Sequence, residues 1–113
     1  MYSERTNGPQ ERRTSKRFSV ECTIRYRVLG QGPVEVSGSG KTVNVSTGGM
    51  LIAINRVLSP GMLVEVEVDW PVNPDDRVSL NLVAMCEVVR SESGAVPLAA
   101  VEITSHAFHI TGD

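Results

Sequence analysis

Aromatic side chains make up only 4% of this 113-residue sequence, and the five present, Tyr2, Phe18, Tyr26, Trp70 and Phe108, are scattered along it. A barrel that grips single-stranded nucleic acid stacks successive bases on neighbouring aromatic rings, and no such platform emerges here. Cysteine is equally scarce. Cys22 and Cys86 stand alone inside apolar, strand-like segments, which excludes a disulfide framework or a CxxC metal or redox site and points to buried thiols. His106 and His109 are the only histidines, three apart with no third ligand at metal-site spacing, so zinc is not indicated. Ser46 precedes a pair of glycines, but Asn44 stands where a G-x-S-x-G elbow needs its first glycine and no catalytic base accompanies it. No enzyme is expected. No apolar run approaches the roughly 20 residues that cross a bilayer, and the charged start from Met1 to Arg17 lacks the apolar stretch of a secretory signal, so the expected location is cytoplasmic.

What is present describes one small soluble module: 41% hydrophobic residues, 21% charged residues and ten glycines. The net charge of −2 hides an asymmetry. Residues 1–27 carry seven basic and three acidic side chains, a net of +4, which leaves −6 for the remainder. A cationic arm on an acidic body attracts an anionic ligand at or near the arm, the alternative being a solvated tail.

The hydrophobic pattern has a period of two. In FSVECTIRYRV, Val20, Cys22, Ile24, Tyr26 and Val28 fall on one face with charged or hydroxyl residues on the other. The glycine-rich stretch after it reads as a connection with a short strand at Val34–Val36. KTVNVS then alternates, with Val43 and Val45 expected to face the core and Asn44 and Ser46 to face outward, and Thr47-Gly48-Gly49 turns the chain into MLIAI. Beyond the turn at Ser59-Pro60-Gly61, LVEVEVDW places Val64, Val66, Val68 and Trp70 inward and Glu65, Glu67 and Asp69 on a solvated face. A loop at residues 71–76 leads to the longest strand candidate, Val78 to Arg90, and then to VPLAAVEIT. Six or seven strands with no amphipathic helix of ten residues close most economically into a small antiparallel barrel. Residues 1–17 are expected to form a flexible basic arm, residues 18–104 the barrel, and residues 105–113 a C-terminal tail holding at most a short helix.

Two segments carry chemistry. Arg13 and Arg17 are four apart in ERRTSKR, a spacing that aims two guanidinium forks at one ligand, and such forks match phosphate oxygens and the O6/N7 edge of guanine. In NVSTGG, Asn44 and Ser46 point off the barrel together, and Gly49 admits a close backbone approach or a positive φ. In this order, about thirty residues apart, the segments resemble the RxxxR and D/NxSxxG motifs of the PilZ domain family at every fixed position. Arg12 before the first motif, the Pro-Gly turn ahead of VEVEV, Glu87 to Arg90 and VEIT extend the resemblance from Glu11 to about Thr104.

The resemblance implies an all-β, six-stranded antiparallel barrel that binds the bacterial second messenger cyclic di-GMP, orders its arm around it and signals to a protein partner. It implies ligand-binding roles for Arg12, Arg13, Arg17, Asn44, Ser46, Gly49 and Arg90, with no metal and no other cofactor. Arg13 and Arg17 would hold phosphate and the guanine Hoogsteen edge, with Asn44, Ser46 and Gly49 lining the other side of a guanine. An arginine at position 12 further implies an intercalated pair of ligands, two per chain. Asn44 offers guanine one carbonyl where an aspartate would accept from both N1–H and the 2-amino group, so binding weaker than an aspartate version is expected. Cys86 stands where the family often has glycine, which narrows the site if that strand end lines it. The alternative is a PilZ-like protein–protein interaction module with weak or no nucleotide binding.

Overall fold

The computed structural model describes residues 19–30, 32–33, 35–70 and 78–112. Among the described residues six antiparallel strands follow one another: β1 (Thr23–Val28), β2 (Val36–Val45), β3 (Gly49–Ile54), β4 (Leu63–Trp70), β5 (Val78–Glu92) and β6 (Leu98–Gly112). They close in the order β1-β2-β3-β6-β5-β4. No helix occurs among the described residues, and none is long and apolar enough to cross a membrane.

The period of two fills the barrel. Ile24, Tyr26 and Val28 from β1, Ile52 and Ile54 from β3, Val64, Val66 and Val68 from β4, Leu82, Ala84, Cys86 and Val88 from β5, and Ala99 and Val101 from β6 are all buried. Cys22 and Cys86 are both buried and unpaired, and burial pushes the Cys86 thiol up to about 12. Because its side chain belongs to the interior, Cys86 does not narrow the outer surface of β5.

Three expectations are corrected. The glycine-rich connection is shorter than expected, because Val36 to Lys41 form the first half of β2 and pair with β1. Gly38 lies opposite Tyr26, and a Cβ there would sit 2.9 Å from the Tyr26 ring, so the missing side chain makes room for an aromatic one. Second, Val43 faces solvent at 41% exposure, because a bulge between Thr42 and Asn44 resets the alternation and puts Thr42 and Val45 inside. The Thr42 hydroxyl accepts the Cys22 N–H at 2.8 Å and donates to the Val20 carbonyl, so it stitches the start of β1 to the bulge. Third, the segment from residue 105 onward continues β6, pairing Ser105 to Gly112 with Met85 to Val78. Ser105 and His109 lie on one face of the ribbon, and His106 and Phe108 share the other, where Phe108 meets Trp70 edge-on at 6.1 Å.

Candidate functional site

A groove of about 310 Å³ runs over the outside of β2, β3, β6 and β5, lined by Asn44, Ser46, Gly49, Arg90 and Glu102 among others. Its geometry follows from strand register. Asn44 is opposite Leu51, Leu51 is opposite Ala100, and Ala100 is opposite Arg90, so one row crosses four strands. Three inter-strand spacings separate its ends by about 14 Å. A second row lies two residues along, where Gly49 faces Glu102 and Glu102 faces Glu87. Gly49 and Ala100 lower the floor on the two middle strands beside Leu51 and Glu102, and Asn44 and Arg90 stand at its flanks.

The low floor has a structural cause. A Cβ on Gly49 would come 2.5 Å from the Val101 carbonyl oxygen, so β3 and β6 can pack at this point only with glycine. Its φ is not positive, which leaves close approach as the reason for glycine. The preceding turn is held by the Ser46 N–H donating to the Gly49 carbonyl at 2.8 Å, with the Ser46 hydroxyl on the same oxygen at 3.2 Å. Ile103 N–H donates to the Gly48 carbonyl at 2.9 Å and ties the turn to β6. These bonds hold Asn44 and Ser46 at the rim.

Four of the residues singled out in the sequence, Asn44, Ser46, Gly49 and Arg90, therefore share one groove. Arg12, Arg13 and Arg17 lie outside the described residues. Sequence reasoning missed Glu102 and Ala100, because their position over the groove depends on β3 pairing with β6 across two intervening strands.

The charge asymmetry also resolves by place. Arg25 bridges Glu67 at 3.0 Å and Asp69 at 3.6 Å, and Arg27 bridges Glu65 at 3.0 Å. The bond to Glu67 and the charges of Glu67 and Asp69 raise the Arg25 pKa further. This ladder lies on β1 and β4, opposite the groove around the barrel, so Arg25 and Arg27 offer it no cation. His106 and His109 are opposite Ala84 and Asn81 respectively and so project from opposite faces of the β6 ribbon, which prevents them from sharing a metal ion. Among the described residues no cluster of three metal-ligating side chains exists. A second cavity, about 240 Å³ and almost wholly apolar, opens at the barrel end between Val45, Trp70, Leu82, Ile103 and Phe108.

The family model of the PilZ domain matches residues 11–107. The chain belongs to the PilZ domain family. No curated protein matches it at the sequence level. Among solved structures, the PilZ domain with c-di-GMP of YcgR from Escherichia coli superposes with a TM-score of 0.58 at 13% identity, covering 83% of this chain and 79% of that one. The Bacillus subtilis inhibitor of motility, MotI/DgrA, superposes with a TM-score of 0.63, also at 13% identity, over 83% of this chain. This PilZ domain spans 43% of that protein's length. At such identity the likeness is one of fold.

Proposed function

We propose that this PilZ domain is a cyclic di-GMP receptor whose N-terminal arm orders over the groove when ligand binds and passes the signal to a protein partner. The observation that carries the reading is the convergence of Asn44, Ser46, Gly49 and Arg90 on one outer groove. An adaptor of this kind binds and reports without chemical turnover, and it acts in the cytoplasm.

The place where the arm joins the barrel supports its part in binding. Val20 is tied by its carbonyl to Thr42, two residues before Asn44. Arg17 is three residues ahead of Val20, within about 10 Å of extended chain, and Arg13 is within about 25 Å. Chain length thus leaves the RxxxR arginines within reach of the groove. Their forks meet the phosphates and the Hoogsteen edge of a guanine, while the Asn44 amide and the Ser46 hydroxyl address the base from the rim. Ordering the arm costs about 1–2 kcal/mol per residue, which places the affinity nearer micromolar than picomolar. Arg12 adds a third cation and a flat stacking surface, enough to hold a second ligand against the first.

Calorimetric titration with cyclic di-GMP tests the reading. Arg13→Ala and Arg17→Ala should each weaken binding about 10- to 150-fold by removing a charge-assisted contact of about 1.5–3 kcal/mol, with thermal unfolding unchanged. The same titration counts ligands, two per chain being expected. Absence of heat with the intact chain at high micromolar ligand would instead favour an interaction module that works without nucleotide.

A further inference from the structure

We infer that Glu102 selects guanine by accepting hydrogen bonds from its N1–H and 2-amino groups, with Arg90 donating to O6 of the same base. The inference rests on the receptor reading and deepens it. The N-x-S motif alone presents an amide at position 44, which cannot supply the two adjacent acceptors that this guanine edge demands. A carboxylate does supply them, and the groove contains one in Glu102. Its Cα stands opposite Gly49, which has no side chain to shield it.

The order of groups also matches. Arg90 is opposite Ala100 and Glu102 lies two residues further along β6, so the two side chains are diagonal neighbours on adjacent strands, with Cα atoms about 7–8 Å apart. Along its Watson–Crick edge guanine presents an acceptor, O6, then two donors. Arg90 followed by Glu102 presents a donor, then two acceptors. Adenine reverses the first element of that order and lacks the 2-amino group.

Both side chains are free to take this role. Arg90 pairs with Glu92 at 3.8 Å, two exposed groups in a weak bridge. Glu102 forms no ion pair among the described residues, and the residue opposite it on β5 is another acid, Glu87. Like charges directly across a ladder destabilise it, and donors arriving on Glu102 relieve that repulsion. The arrangement also repels phosphate, so a carboxylate in this groove favours the dianion only by contacting its base.

That opposition gives the test a sign. Calorimetry is run with cyclic di-GMP and with cyclic di-IMP, whose hypoxanthine bases lack the 2-amino group. The intact chain should prefer the guanine ligand about tenfold or more. Glu102→Gln, which is isosteric and on the exposed face, should weaken cyclic di-GMP about 10- to 150-fold and largely abolish the preference, with a melting temperature no lower than the parent's because the repulsion from Glu87 is removed. Glu87→Gln, which removes the neighbouring charge, should leave the preference intact. Equal or tighter binding of cyclic di-GMP by Glu102→Gln would identify a bystander charge and overturn this inference while the receptor reading stands. Failure of the intact chain to bind cyclic di-GMP would overturn both.

Discussion

Thr42→Val separates packing from hydrogen bonding at the root of the arm. Valine differs from threonine by a methyl group in place of the hydroxyl, and the site is 2% exposed, so burial alone favours the variant by about 1 kcal/mol. The hydroxyl, however, is the acceptor for Cys22 N–H at 2.8 Å and the donor to the Val20 carbonyl. Its loss strands a buried amide, at about 1–3 kcal/mol, and removes a second bond worth about 1 kcal/mol. The net expectation is destabilisation by about 1–3 kcal/mol. Urea unfolding reads this as a lower midpoint at constant m-value, and heating as a fall of about 4–8 °C for each kcal/mol. Amide exchange locates it: Cys22 N–H should exchange faster in Thr42→Val and stay protected in Thr42→Ser, which keeps both bonds. A valine variant as stable as the parent or more so, with Cys22 N–H still protected, would refute the reasoning.

Gly49→Ala should destabilise the barrel by about 1–3 kcal/mol, because the new Cβ would sit 2.5 Å from the Val101 carbonyl and force β3 from β6. An unchanged urea midpoint, or undisturbed protection of Ile103 N–H, would count against that close approach. Burial raises the Cys86 pKa from 9.0 to about 12, so the unfolded chain loses this proton first as pH rises. The stabilisation is whole below pH 9 and should decline by about 1.4 kcal/mol per pH unit from there toward pH 12. Cys86→Ala should flatten the alkaline limb by that slope, and identical slopes for the two proteins would exclude the thiol as its source.

The barrel was legible because β1, β4 and the middle of β5 alternate almost without interruption, and an interior filled from one face of each strand writes its period directly into the sequence. The misreadings fall where a local rule was overridden by a distant neighbour. Gly38 suggested a loop until Tyr26 was opposite it, and Val43 had the right parity until a bulge, fixed by the buried Thr42 hydroxyl, shifted it. Similarly, SHAFHITG has no strong strand pattern of its own and is held extended by pairing with β5. At the candidate site, Asn44, Ser46 and Gly49 could be picked out because they lie within six residues of one another. Glu102 could not, since nothing near it in the chain marks it as a neighbour of Gly49.

The seam between β3 and β6 has a kinetic consequence. Four of the six strand pairings join neighbours in the chain and can form locally, but β3 with β6 and β1 with β4 must wait for distant segments to meet. The groove straddles the first of these late seams, with Asn44 and Ser46 on one side and Arg90 and Glu102 on the other. Half-folded chains that contain every strand but not this seam therefore have no site. A ligand bridging the seam would act as a clasp on the finished barrel: it would slow opening at this late joint and leave the local hairpins to exchange at their own rates.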